Sequence, residues 1–286
     1  GRPKPGHRFS EGLHQAIEAA EGLTPGDGML TMASINYPNC LRMYGKLAGM
    51  TGTGLSSRQE FGQVYGLDVQ SVPTHRPTIR ENLPDLMFNT SKERDQALAD
   101  QVAKLHKTGR PVLLGTRSIE RSEDFSRMLS QRGVSHQVLN AKNIPAEADI
   151  IAKAGHLGAV TVATNMAGRG TDIKLGADAN QKAQVVALGG LAVLGSERHE
   201  ARRIDEQLAG RAGRQGDPGS SQFYLSKEDE LFRLHLDPEA KLEPEEMVRR
   251  AQQHADDKSL EIREYTLKYD AVVNKQRGLV YAARDL

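Results

Sequence analysis

Residue types that mark several protein classes are rare in this chain of 286 residues. It has a single cysteine, Cys40, and no tryptophan, and aromatic residues make up 5% of the composition. One cysteine cannot form an internal disulfide, which excludes the small secreted domains that depend on disulfide frameworks. We expect Cys40 to be a small buried apolar side chain rather than a nucleophile.

Long apolar runs without charges are also missing, so the sequence predicts no transmembrane helix. Residues 1–10 are basic, but no apolar stretch follows them, which argues against a signal peptide. The chain begins at Gly1 without a methionine, and we expect it to be part of a longer protein.

Neither sign of charge is in excess. Lysine and arginine total 38, aspartate and glutamate total 37, and the formal net charge is +1. Dedicated nucleic-acid binders usually carry a basic excess, so this balance argues against nucleic acid as a partner. The content of 38% hydrophobic and 26% charged residues is ordinary for a globular domain.

The sequence divides into three zones. Residues 1–73 are rich in glycine and turn signals, residues 74–233 alternate strand-like and helix-like segments, and residues 234–286 are mostly helix formers. The first zone predicts helices at Ser10–Glu21, capped by Ser10, and at Tyr37–Leu47. The last zone predicts a helix with a broad apolar face that needs a partner surface, formed by Leu260, Tyr265, Leu267, Tyr269, Val272 and Val273.

The middle zone predicts an α/β fold. Short apolar runs alternate with helical patterns, which implies a parallel sheet with helices on both faces. Ala159–Ala163 is the clearest strand because it is apolar and β-branched. The other predicted strands are Pro111–Gly115, His136–Leu139, Leu191–Leu194 and Gln222–Leu225, and the predicted helices are Ser118–Gln131 with Ser118 as cap and Gly133 past its end, Ala146–Ala154 and Arg198–Ala212.

A glycine-rich segment follows the clearest strand. Gly168, Arg169, Gly170, Thr171 and Asp172 stand where a parallel sheet usually binds ligands, beyond the carboxyl end of a strand. The glycines allow close approach of the backbone to a phosphate. Arg169 supplies a cation, and Asp172 supplies an acceptor for a ribose or a coordinated water. A tight turn without a ligand is the alternative.

A second segment, Gln207–Gly216, contains two arginines spaced three residues apart, Arg211 and Arg214. On a helix this spacing places both on one face. Guanidinium groups bind phosphate bidentately and stabilise charge that develops in phosphoryl transfer. Solvated surface charge is the alternative for the two arginines taken alone, but the two segments in this order favour a polyphosphate site.

The two segments resemble motifs V and VI of the second RecA-like domain in superfamily-2 helicases and translocases. Further stretches resemble the SecA family in particular, in the family's order and across essentially the whole chain. They are Gly12–Glu18, Lys46–Thr53, Asn140–Lys142, Ala163–Ile173, Gly195–Glu200, Arg202–Asp205, Gly216–Ser226 and Lys268–Arg277.

The resemblance implies a RecA-like sheet in residues 74–233, as the second nucleotide-binding domain of an ATP-driven protein translocase. Residues 1–73 would be the tail of the preprotein clamp's return and the end of the first motor domain, and residues 234–286 the start of a helical scaffold. It assigns catalytic roles to Arg211 and Arg214, with Arg214 as the arginine finger on the γ-phosphate. It assigns nucleotide contacts to Gly168, Arg169, Gly170, Asp172 and Gln207, and a coupling role to Gly49–Thr53.

The cofactor implied is ATP with Mg²⁺, held mainly by a first motor domain. This chain has no Gly-x-x-x-x-Gly-Lys-[Ser/Thr] sequence and no apolar strand that ends in Asp-Glu, so we expect little or no ATPase activity from it alone. No metal ligands are assigned, and His199 is expected to be structural or interfacial.

The partners implied are the first motor domain, the SecYEG membrane channel and an unfolded preprotein, with a homodimer as a further arrangement. The location implied is the cytoplasm, peripheral on the inner face of the bacterial plasma membrane. Two alternatives remain: a superfamily-2 RNA helicase fragment, which shares motifs V and VI, and a non-enzymatic module that regulates by docking.

Overall fold

The computed structural model describes residues 6–28, 35–139, 147–164, 170–237 and 242–284. Contacts between residues divide the chain into two compact units. The larger unit contains residues 49–263, and the smaller one contains residues 2–48 together with 264–286. The three-zone division concerns domains of a longer protein and stays a prediction.

A parallel sheet forms the centre of the larger unit. Its strand order is β1-β7-β6-β3-β5-β4, and β2 also pairs with β7, so every pairing in it is parallel. This confirms the predicted α/β class. The strands are β1 (Glu81–Asn82), β2 (Leu86–Phe88), β3 (Val112–Thr116), β4 (Gln137–Leu139), β5 (Val160–Thr164), β6 (Leu191–Gly195) and β7 (Gly219–Ser226).

Helices make up most of the remaining regular structure. A 3-10 turn at Leu55–Ser57 and a π-helical turn at Phe61–Tyr65 flank the first short helix of the larger unit, and another 3-10 turn covers Arg214–Gly216. The α-helices are α1 (Leu13–Ala20), α2 (Tyr37–Arg42), α3 (Arg58–Glu60), α4 (Ser91–Thr108), α5 (Ile119–Gln131), α6 (Glu147–Lys153), α7 (Ala179–Ala187), α8 (Arg202–Ala209), α9 (Glu230–His235) and α10 (Pro244–Arg284).

Side chains alternate between the two faces of the sheet, because successive residues of a strand point to opposite sides. In β3, Val112 and Leu114 join one buried cluster with Phe125 of α5, whereas Leu113 joins the other. The first cluster packs under α4 and α5. The second packs under α6, α7, α8, α9 and the beginning of α10, through Ile151, Val185, Leu208, Leu231, Val248 and Ala251. Both faces are therefore covered, as predicted.

Helix ends show where the sequence prediction was right and where it was wrong. Ser118 caps α5 through its Oγ, which accepts from the backbone N–H of Arg121 at 3.2 Å. The helix predicted from Ser10 begins only at Leu13, after Gly12 in the left-handed region. The helix predicted at Tyr37–Leu47 already ends at Arg42.

The smaller unit consists of α1, α2 and the last part of α10. The side-chain amides of Asn36 and Asn39 both donate to Oδ2 of Asp270, at 2.8 and 2.6 Å. Cys40 is a free thiol and is half-buried rather than buried. Four residues of the predicted apolar face are exposed in the structure: Tyr265, Tyr269, Val272 and Val273.

Across the described part of the chain, no helix combines the length and the apolar character needed to cross a bilayer.

Candidate functional site

The segment that carries the two arginines leaves the helix before it reaches them. After α8 ends at Ala209, single turns continue the chain, with the N–H of Arg211 donating to the Leu208 carbonyl at 3.0 Å. Gly213 then enters the left-handed region with a φ of 72°. The prediction of one helix over Arg198–Ala212 is therefore wrong, and the two arginines do not share a helical face.

Both arginines nevertheless contact the same neighbouring segment, at Thr171 and Asp172. Nη1 of Arg211 donates to the carbonyl of Thr171 at 3.0 Å. Nη1 of Arg214 pairs with Oδ1 of Asp172 at 2.8 Å. The two predicted segments thus lie side by side, which is the arrangement the sequence interpretation needs.

The pair between Arg214 and Asp172 is open to solvent. The two side chains are 39% and 53% exposed. Exposed ion pairs contribute little to stability, about 0–1 kcal/mol, so the guanidinium can exchange this carboxylate for another anion at small cost. Two residues that follow in the same segment, Ile173 and Leu175, are buried in the core cluster and anchor the segment to the sheet.

The loop that carries the arginines also lies against the sheet. A Cβ on Gly219, the first residue of β7, would lie 2.9 Å from the backbone N of Gly213. The loop of residues 211–216 therefore borders the amino end of β7. It does not lie beyond the carboxyl ends of the strands, because α8 runs back along the sheet face before the loop begins.

The other predicted site residues are placed as follows. Gly168 and Arg169 lie outside the described residues. Gly170 is exposed beside Thr171. Gln207 is half-buried on α8, and its Nε2 donates to Oγ1 of Thr53 at 3.4 Å. This contact brings the Gly49–Thr53 segment next to the arginine-bearing segment.

Two further arginines border the loop, and the sequence analysis missed them. Nη1 of Arg80 donates to the carbonyl of Ala212 at 3.4 Å, and burial lowers the pKa of Arg80. The side chain of Arg76 would be 3.2 Å from a Cβ on Gly216. Nothing in the segment before β1 distinguishes these residues from ordinary surface arginines, so only the fold reveals them.

The site therefore supplies cations and an amide but few acceptors. Asp172 is the acidic residue in contact with Arg214. Within the residues that the structure describes, no group of three or more histidines, cysteines or carboxylates is placed to hold a metal ion. The residues present fit phosphate oxygens approached from one side. They do not fit a Mg²⁺ ion, which prefers several oxygen ligands.

Family comparisons agree with the motifs. The SecA P-loop domain matches residues 77–185 and 177–256. The chain belongs to the SecA family. Two more SecA descriptions match its flanks: the SecA Wing and Scaffold domain at residues 244–286 and the SecA DEAD-like domain at residues 4–62. The resemblance stated from the sequence is thereby confirmed.

Relatives in the SecA family are similar along nearly the whole chain. The protein translocase subunit SecA of Halothermothrix orenii is 51% identical over 99% of this chain, and that of Thermotoga neapolitana is 49% identical over 100%. The protein translocase subunit SecA 2 of Clostridioides difficile is 47% identical over 100%. The chain spans 35%, 34% and 39% of these relatives, which is little more than a third of their length.

Solved structures are similar at a lower level. The Escherichia coli DEAD-box protein SrmB, bound to the regulator of ribonuclease activity A, has a TM-score of 0.41 and 19% identity, covering 60% of this chain and 95% of that one. The C-terminal part of the Fun30 ATPase domain has a TM-score of 0.38 and 15% identity, covering 57% of this chain and 54% of that one.

Proposed function

We propose that this chain is the second motor half of an ATP-driven protein translocase, and that it contacts ATP held by a first motor domain. The hydrogen bonds of Arg211 to Thr171 and of Arg214 to Asp172 support this most directly. These contacts place the two motif segments side by side at the border of a RecA-like sheet, and we call this surface, with Arg211 and Arg214, the cationic edge. Membership of the SecA family supplies the substrate class.

Arg214 is the residue we assign to the γ-phosphate. Its guanidinium can leave the exposed Asp172 carboxylate and bind phosphate oxygens with the same planar donors. Arg211 stays tied to the backbone at Thr171 and adds a second cation nearby. Positive charge placed against the developing charge of the transferred phosphoryl group accelerates the transfer, by about 10³–10⁵-fold for an arginine finger.

Gln207 and Thr53 form a contact through which nucleotide binding at the cationic edge would affect the Gly49–Thr53 segment. The 3.4 Å contact between them joins α8 to the Gly49–Thr53 segment, which resembles the family's coupling motif. We assign Gly168, Arg169 and Gly170 to contacts with the nucleotide and Asp172 to an acceptor role once Arg214 has left it. We assign Mg²⁺ mainly to the first motor domain, as the resemblance to the SecA family implies.

Movement follows from closure of the cleft. ATP draws the two motor domains together because these arginines bind its phosphates only when the cleft is closed. Hydrolysis removes that attraction, and the helical region after Leu234 transmits the motion to an unfolded preprotein and to the SecYEG channel. The protein would work in the cytoplasm, peripheral on the inner face of the plasma membrane, as a monomer or a homodimer.

Substitution of Arg214 by alanine tests the assignment. The experiment uses a chimera in which this chain replaces the matching segment of the Halothermothrix orenii relative. We expect kcat for ATP to fall about 10³-fold or more with a much smaller change in KM, because the contact forms mainly in the transition state. The steady-state ATPase rate measures this.

The control is Arg127→Ala, since Arg127 is 76% exposed and pairs with Asp124 on α5. It should leave kcat unchanged. Equal losses in kcat and in ATP affinity for Arg214→Ala would mean that Arg214 only anchors nucleotide. If the chain binds a separate P-loop domain without changing its ATPase rate, the docking-module alternative is favoured instead.

A further inference from the structure

A buried polar cluster joins the long helix α10 to α8. Its three central residues are Asp205 on α8, His199 just before α8, and Gln252 on α10, which are 1%, 6% and 7% exposed. Groups of this polarity are rarely buried unless they are hydrogen-bonded to one another. Their contacts therefore indicate how α10 and α8 are held together.

The carboxylate of Asp205 accepts on both oxygens. Oδ1 accepts from the backbone N–H of His199 at 3.0 Å and lies 2.7 Å from Nδ1 of the same residue. A carboxylate only accepts, so Nδ1 is the donor in that contact. Oδ2 accepts from Nε2 of Gln252 at 2.7 Å, and Nη1 of Arg198 lies 3.5 Å from it.

Gln252 uses both hydrogens of one amide group. Nε2 donates to Oδ2 of Asp205 at 2.7 Å and to the backbone carbonyl of His199 at 2.8 Å. Val248 and Ala251, on the same side of α10, are buried in the cluster that covers this face of the sheet. The helix therefore presents a fixed donor to a buried carboxylate, and hydrogen bonds to charged groups are stronger than neutral ones.

The position of Asp205 connects this cluster with the cationic edge that carries Arg211 and Arg214. Asp205 lies in the first turn of α8, whose N-cap residue Ala201 makes no side-chain cap bond. A carboxylate there stabilises the helix N-terminus. From this turn, successive backbone hydrogen bonds lead through Gly210 and Arg211 to Arg214, whose Nε donates to the Gly210 carbonyl at 3.1 Å.

We propose that Gln252 is a positioning residue through which helix α10 sets the orientation of α8, and with it the placement of Arg211 and Arg214. The effect on turnover rests on the proposed function, whereas the effect on α8 does not. A glutamate at this position keeps the size of the side chain but has no hydrogen to give, and it would place a second carboxylate against Asp205. If α10 shifts relative to the sheet, the hydrogen bonds of Gln252 to Asp205 and His199 would move α8 and, with it, the arginine loop.

Hydrogen exchange of the intact chain tests the first half of the proposal. In Gln252→Glu, amides of residues 202–214 should exchange at least about ten-fold faster, because the change removes both hydrogen bonds of the amide, including the one to the Asp205 carboxylate. Amides of β3 and β5 should keep their rates. The matched control is Gln253→Glu, because Gln253 is the adjacent glutamine and is exposed.

Two results would overturn this half. One is unchanged exchange at 202–214 in Gln252→Glu. The other is faster exchange everywhere, including β3 and β5, since that would make Gln252 an ordinary contributor to global stability.

Kinetics of the chimera test the second half. Gln252→Glu should lower kcat by about 10- to 100-fold, the range expected when a catalytic group is misplaced, while KM changes less than about two-fold. Loss of kcat no greater than in Gln253→Glu would overturn it. If Arg214→Ala leaves kcat unchanged, the proposed function fails, and hydrogen exchange alone then decides whether Gln252 positions α8.

Discussion

Gly213 is the residue whose backbone allows the arginine loop to form. Its φ of 72° lies where side chains are disfavoured, and a Cβ there would be 2.5 Å from Cβ of Arg80. Gly133 has a similar φ of 68°, but a Cβ on it would meet no atom within 4 Å. The two glycines therefore share the conformational constraint and differ in the steric one.

We expect Gly213→Ala to cost more stability than Gly133→Ala. The left-handed conformation alone costs about 1–2 kcal/mol for a residue with a Cβ, and this part applies to both variants. The contact with Arg80 adds to it only at Gly213. Urea unfolding followed by circular dichroism measures the difference, and equal losses in the two variants would show that Arg80 moves aside freely.

Asp229 carries a carboxyl group whose titration bears on stability. Burial raises its pKa from 3.8 to about 6, although the guanidinium of Arg94, which pairs with it, acts in the opposite direction. The folded state therefore holds a proton that the unfolded state has released between about pH 4 and pH 6. The contribution of Asp229 to stability falls as the pH rises through this window, by about 1.4 kcal/mol for each unit of pKa difference.

The measurement is the free energy of unfolding at about pH 4 to pH 7 for the protein and for Asp229→Asn, which cannot titrate. We expect the stability of the protein relative to the variant to decrease between about pH 4 and pH 6 and to stay constant above. A relative stability that rises with pH would mean that pairing with Arg94 outweighs burial.

Residues of the site differ in how visible they are in the sequence. Arg211, Arg214 and Asp172 stand in recognisable motifs, and the structure brings them together. Arg80 has no motif around it, and its contact with the Ala212 carbonyl depends on the pairing of β1 with β7. Residues that reach a site only through tertiary pairing leave no local pattern to read.

At the scale of elements, the amino end of α4 contains a complete capping box. Oγ1 of Thr90 accepts from the N–H of Glu93, and the Glu93 carboxylate accepts from the N–H of Thr90, both at 3.2 Å. Thr90→Ala removes the first bond, and we expect it to lower the free energy of unfolding by about 1 kcal/mol. Thermal unfolding measures this, and Ser130→Ala at an exposed position of α5 should change the midpoint little.

Elements were predictable where burial imposes a strong pattern. The strands β3, β5 and β6 were found because residues buried on both faces must be apolar. The helix α4 was missed although its capping box is visible in the sequence, since its charged surface hides the buried stripe of Leu98, Ala99 and Val102. The predicted helix at Arg198–Ala212 was too long at both ends, since α8 covers only Arg202–Ala209, and an amphipathic pattern does not mark where the backbone bonding of a helix stops.

At the scale of the whole molecule, the last part of α10 carries an exposed apolar face. Tyr265, Tyr269 and Val272 were predicted to need a partner surface, and they are 71%, 77% and 64% exposed. The partner surface stays a prediction, and the apolar pattern does not identify what would cover it. The cationic edge is similar, because we propose that Arg211 and Arg214 contact a triphosphate, and the sequence contains no P-loop motif to hold one.

The last prediction concerns ATP binding and hydrolysis by this chain alone. Without P-loop amides and a P-loop lysine, the chain offers ATP only cations from one side, and we expect a dissociation constant weaker than about 1 mM and no ATPase activity above background. Titration calorimetry and a steady-state assay measure the two. A first motor domain taken from the Halothermothrix orenii relative, added in excess, should bind this chain in the presence of ATP and gain turnover, whereas the same domain with the Arg214→Ala chain should bind and gain little. Turnover at the rate of a full-length relative by the chain alone would show that it holds a complete active site and that the division of labour proposed here is wrong.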